Sequence, residues 1–131
     1  MEKKQFWYFR TVTDEIDDDA THDSLMIPVD YVTTILPTST TALTIYFRQG
    51  SSNQPLQNRV GFLNGSVTLN VTAGKTEQIM RTLIADINAS LRNKPSGVTT
   101  IADDSTTDFD DSTRDPIYID SGITSCGTIV A

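Results

Sequence analysis

The chain has only one cysteine, Cys126, so no internal disulfide can form and the fold must be held by its core. That usage suits a reducing compartment. At 131 residues the chain reads as a single domain, 1–131, long enough to bury a core without a disulfide or a structural metal. Long apolar runs are missing too. No stretch could span a bilayer, and the residues after Met1-Glu2-Lys3-Lys4 are too few for a signal peptide. Basic residues are scarce: ten Lys and Arg stand against seventeen Asp and Glu, for a net charge of −7. That balance argues against partners that select for Lys and Arg, namely nucleic acid and anionic membrane.

The acid that is present is unevenly spread. Asp14, Glu15, Asp17, Asp18, Asp19 and Asp23 fall in one segment, 13–24. Asp103, Asp104, Asp108, Asp110, Asp111 and Asp115 fall in another, 103–115, and both are expected to be solvated loops. The other bias is threonine, with twenty residues. Threonine is β-branched, favours strands, and leaves a hydroxyl that an exposed sheet face tolerates.

Taken in order, residues 5–12 form a first strand with aromatics on both sides. Phe6, Tyr8 and Val12 alternate to one face, and Trp7, Phe9 and Thr11 to the other. Such a strand is either central or has a second face that meets a partner subunit, and the partner reading is preferred. Residues 24–36 read as a second strand region, with Pro28 at an edge or bulge and a slip of phase at Tyr31-Val32 that puts Val32 and Ile35 in a short turn or in the same strand. A turn is expected over 37–40. In the strand 42–49, Leu43, Ile45 and Phe47 face inward while Thr44, Tyr46 and Arg48 face out. Residues 50–58 resemble a flexible hairpin tip, 59–63 a short returning strand, and Asn64-Gly65 a tight turn.

Strand 67–72 and the turn Ala73-Gly74 lead into the one strong helical pattern, about 75–92. There Ile79, Met80, Leu83, Ile84, Ile87 and Leu91 make one apolar stripe. Breakers at 93–97 end it, and strands are predicted at 98–102, 116–120 and 123–130.

Few motifs carry chemistry. Gly74-Lys75-Thr76 has the ending of a phosphate-binding loop, but the glycine needed five residues earlier is Leu69. The EF-hand pattern fails as well. Counted from Asp17, the sixth and twelfth positions are His22 and Pro28; from Asp108 they are Thr113 and Ile119. An irregular carboxylate site leaves Asp17, Asp19, Asp108 and Asp110 as the calcium candidates. Cys126 lies in a Ser-Cys-Gly strand segment without a nucleophile elbow, so an inert buried thiol is expected. No catalytic residue and no cofactor emerge. A stacking face for nucleic acid made from Trp7, Phe9, Tyr46 and Arg48 would lack its positive groove.

In their order, the segments 6–12, 24–29, 37–47, 67–72, 101–104 and 123–129 resemble small virion-associated proteins of marine tailed bacteriophages, of the cyanophage type. The resemblance covers most of the chain and rests on structural motifs. It implies a protein made in the host bacterial cytoplasm, located in the virion, with a compact Sm-like β-barrel as one expected architecture. The expected fold is α+β, mainly antiparallel: five to six strands in a small barrel or half-open sandwich, with one amphipathic helix. The expected function is non-enzymatic and structural, through homo-oligomers and contacts with other phage particle proteins. Phe6, Trp7, Tyr8, Phe9, Tyr46 and Arg48 are the interface candidates. The alternatives are a phage-encoded regulator binding a host protein or nucleic acid, and a calcium-dependent binding module.

Overall fold

A computed structural model describes residues 5–12, 23–48, 64–92, 97–107 and 113–130. It is α+β and mainly antiparallel, with one helix. The elements run β1 (Gln5–Arg10), β2 (Ser24–Pro28), a 3-10 turn (Val29–Tyr31), β3 (Val32–Ser39), β4 (Ala42–Arg48) and β5 (Asn64–Val71). After these come α1 (Thr76–Arg92), β6 (Gly97–Asp103), β7 (Ile117–Tyr118) and β8 (Ile123–Val130). The described strands number eight, not five or six. They form two four-stranded sheets, ordered β2-β1-β6-β7 and β3-β4-β5-β8, with no closed barrel. Among the described strands only β1 and β6 run parallel to each other.

Pro28 accounts for part of the difference in strand count. A short turn does break the region 24–36, but at Val29–Tyr31 directly after Pro28, and Val32 and Ile35 lie in β3. Proline has no N–H to continue a ladder, so the chain leaves the first sheet as β2 and enters the second as β3. The strand then runs through Ser39, and the turn falls at Thr40-Thr41, later than predicted. Asn64-Gly65 is a second correction, since both residues lie in β5. Gly65 pairs with Phe47, whose ring occupies the space a β-carbon would need, so the glycine serves close packing instead of a turn. Ala73-Gly74 does turn as expected, with Gly74 at φ 85°. The predicted features within 50–63 lie outside the described residues.

Both sheets and the helix contribute to one core. Trp7 and Phe9 come from β1, Ile27 from β2, Leu43, Ile45 and Phe47 from β4, and Val67, Leu69 and Val71 from β5. Ile79 and Leu83 close it from the helix, Ile101 and Ala102 from β6, and Ile123, Cys126 and Ile129 from β8. Burying each large aliphatic side chain contributes about 1.5–3 kcal/mol. The helical stripe is narrower than its sequence pattern. Ile79 and Leu83 are fully buried, Met80 and Ile87 half-buried, and Ile84 is 51% exposed.

Candidate functional site

Alternation along β1 divides the six interface candidates. Trp7 and Phe9 have no exposed surface, so they belong to the core of the chain and cannot meet a partner. The Trp7 indole N–H donates to Asp86 Oδ2 at 2.6 Å, and the Thr99 hydroxyl donates to Asp86 Oδ1 at 3.2 Å, which fixes the helix over the inner side of β1 and β6. Phe6 and Tyr8 take the opposite face and are half-buried there. Register places Pro28 and Val98 on either side of Phe6, and Met26 and Thr100 on either side of Tyr8. Met26 is 54% exposed and Val98 53%. Six residues of three strands therefore form an uncharged, largely apolar outer face on the first sheet.

That face ends at a bulge. Thr100 pairs with Tyr8 and Ala102 with Phe9, so Ile101 is the extra residue in β6. The slip buries both Ile101 and Ala102 and opposes Asp103 to Arg10. Charged groups thus bound the apolar rows.

Tyr46 and Arg48 lie on the second sheet, so the candidates make no common surface. Arg48 is exposed, its guanidinium 6.0 Å from the centre of the Tyr31 ring. The outer face of this sheet mixes apolar Leu36, Tyr46 and Val130 with hydroxyls that bond to one another. Thr38 and Thr44 share a hydroxyl hydrogen bond of 3.1 Å, and Thr44 and Thr68 another of 3.3 Å. Asn70 donates to Ser125 Oγ at 2.7 Å.

The second acidic segment does not begin in solvent. Asp103 and Asp104 are each 7% exposed, which corrects the expectation of a solvated loop from 103 onward. Asp104 joins the two sheets. Its Oδ1 accepts from the Tyr118 hydroxyl at 2.7 Å and from the backbone N–H of Cys126 at 2.9 Å, while its own N–H donates to the Arg10 carbonyl at 3.1 Å. The Thr11 hydroxyl donates to the Cys126 carbonyl at 3.2 Å. Asp103 accepts from Ser105 N–H at 2.9 Å and from Arg114 at 2.6 Å. A buried carboxylate is tolerated where an opposite charge or hydrogen bonds compensate it: Arg114 pairs with Asp103, and Asp104 is hydrogen-bonded. The sequence does carry a signal for this: Asp103-Asp104 directly continues the apolar Ile101-Ala102 of a strand. The partners Arg114 of Asp103, and Tyr118 and Cys126 of Asp104, are 11, 14 and 22 positions away and share no local pattern with them.

Little reactivity follows from this cluster. Burial, with the negative charge of Asp104 beside it, pushes the Cys126 thiol up to about 12, against a weaker opposing hydrogen bond from the Arg10 backbone. The thiol is neutral at pH 7 and a poor nucleophile. Burial and the hydrogen bond to Asp104 also raise the Tyr118 hydroxyl well above its ordinary value. Near the start of the helix, burial tends to raise Asp120. Hydrogen bonds from Gly122 N–H, Thr82 and Gln78, with the charge of Lys75, outweigh it and hold the carboxyl below its usual range.

The calcium candidates Asp17, Asp19, Asp108 and Asp110 lie outside the described residues. Among the described residues no group of three or more His, Cys, Asp and Glu side chains could hold a metal. Nor is any helix long and apolar enough to cross a membrane. Gly74, Lys75, Glu77, Gln78 and Arg81 line a shallow open depression at the start of the helix. Neither a protein-family model, nor a curated protein, nor a solved structure matches the chain.

Proposed function

We propose that this is a non-enzymatic structural protein of a phage particle, made in the host cytoplasm, that works by assembling with copies of itself. The two sheets are read as a half-open sandwich whose first sheet presents the contact surface. One observation carries the proposal: Phe6, Tyr8, Met26, Pro28 and Val98 form an apolar outer face in a chain of net charge −7. Exposed apolar area of this kind marks association surfaces, and a neutral patch is where two strongly acidic copies approach with least repulsion. The inward Trp7 and Phe9 narrow the reading to the outer half of the aromatic strand. The buried carboxylates, engaged in holding the sheets together, offer no acid–base pair for catalysis.

Sedimentation equilibrium over a wide concentration range tests the assembly. The expected result is a concentration-dependent oligomer that Val98→Glu and Met26→Glu weaken without loss of folded signal. A monomer at every concentration would remove the proposal. Mass spectrometry of purified particles, counting copies of the chain, tests the location.

A further inference from the structure

On the inner side of β1 and β6, Gln5, Thr99, Asp86 and Trp7 form one hydrogen-bonded line. Alternation sets Gln5 on the same face as Trp7, and register pairs Trp7 with Thr99 and Gln5 with Gly97. Gly97 has no side chain to stand between them, and the Gln5 amide donates to the Thr99 hydroxyl. That hydroxyl donates in turn to Asp86 Oδ1 at 3.2 Å, while the Trp7 indole N–H holds Asp86 Oδ2 at 2.6 Å. A hydroxyl in contact with an acyl group, beside a fixed carboxylate able to take its proton, is the arrangement that acyl transfer requires. Two other places have only some of these parts. Asn70 donates to the Ser125 hydroxyl, but among the described residues no carboxylate is bonded to Ser125. Gln78 and Thr82 donate to different oxygens of Asp120, so the carboxylate stands between amide and hydroxyl.

We propose that Thr99 and Gln5 form an intramolecular ester that ties β1 to β6, with Asp86 as the general base. Rotation about the last side-chain bond of Gln5 turns the face of its carbonyl carbon towards Thr99 Oγ1. As that oxygen attacks the carbon, its proton passes to Asp86. The C–N bond then breaks, Asp86 hands the proton to the departing nitrogen, and ammonia leaves. One C–O bond replaces one C–N bond, the carboxylate is restored, and no oxidant or co-reactant is needed. Holding the two groups in contact replaces a bimolecular encounter and raises the rate of an otherwise slow exchange. Trp7, with no exposed surface, covers one side of the line against water. The reaction occurs once per chain, so it is a self-modification and not an enzyme activity. It supplies the covalent cross-link that a chain with a single cysteine cannot make within itself.

Mass spectrometry of the purified, denatured chain tests the link. The wild type is expected to be lighter than its sequence by one molecule of ammonia. In a tryptic digest, peptide 5–10 is expected to stay joined to peptide 93–114 until hydroxylamine cleaves the ester. Thr99→Ser keeps the hydroxyl and should keep the link. Thr99→Val and Asp86→Asn, with folding checked by the fluorescence of Trp7, should have the full mass and separate peptides. A folded wild-type chain of full mass overturns the proposal. A Thr99→Val chain that still lacks one ammonia places the loss elsewhere and overturns it too. Asp86→Asn that links as completely as wild type removes Asp86 as the base.

Discussion

On the outside of the first sheet, Phe6, Tyr8, Met26 and Val98 sit side by side, and two of them are more than half exposed. On the outside of the second, Thr38, Thr44 and Thr68 are linked by hydroxyl hydrogen bonds, and Asn70 is bonded to Ser125. Strand geometry is the same in both, since successive side chains alternate between core and exterior. What differs is what each exterior leaves unsatisfied. The hydroxyl face has spent its polar groups on itself and gains little from a partner. The apolar face loses nothing polar on being covered and gains from leaving water. The first exterior is therefore the more continuous apolar surface, while the second interrupts its apolar Leu36 and Val130 with hydroxyls bonded to one another.

Substitutions can break or sharpen that contrast. The largest effect belongs to the inner side of the first sheet. Trp7→Ala is expected to lower unfolding stability by about 3–5 kcal/mol in denaturant titration, as for a large buried aromatic. A loss near zero would mean that β1 faces outward on both sides. Next is the link between the sheets. Asp104→Ala leaves the Tyr118 hydroxyl and the Cys126 N–H without their acceptor, at a cost of about 1–3 kcal/mol for each group. Asp104→Asn keeps an acceptor oxygen and is expected to lose less. If Asn and Ala cost the same, the carboxylate is not the clasp described.

The same link has a pH signature. Burial raises the Cys126 thiol from 9.0 to about 12, so as pH rises the unfolded chain gives up this proton before the folded chain does. Stability from this group is full below about pH 9 and falls above it, and Tyr118, also raised, acts in the same direction. Thermal melting from pH 8 to 11 should show the fall, and Cys126→Ala should flatten it. Asp120 has the opposite sign. Its lowered carboxyl contributes fully above its ordinary value of 3.8 and less as pH falls through its folded value.

The smallest stability effects distinguish the two exteriors directly. Thr44→Val breaks the hydroxyl chain and is expected to cost about 1 kcal/mol in denaturant titration, with self-association unchanged. Val98→Ser should stay within about 0.5 kcal/mol of wild type in stability, as an exposed position does. Self-association should nevertheless weaken measurably. If Thr44→Val disrupts assembly and Val98→Ser does not, the roles of the two faces are reversed.

Much of the fold was legible in sequence. Alternation at 43–47 placed Leu43, Ile45 and Phe47 inward, where they are found. The helix at 75–92 starts one residue later, at Thr76. Alternation also separated Trp7 and Phe9 from Phe6 and Tyr8, but not which pair faced the core. Both faces are aromatic, and only the packing of α1 and the second sheet against one of them settles it. Asn64-Gly65 has turn composition, yet the ring of Phe47 across the ladder claims the empty space at Gly65.

Local chemistry thus determined the strands, the helix and the Gly74 turn, because side-chain periodicity and backbone freedom act over a few residues. Tertiary structure alone decided which sheet the strands on either side of Pro28 join and that Asp103 and Asp104 are buried. It also decided which face of β1 is open. Each of these depends on groups distant in sequence, such as Arg10 and Cys126 around Asp104, and a carboxylate's neighbours determine whether it is solvated or buried.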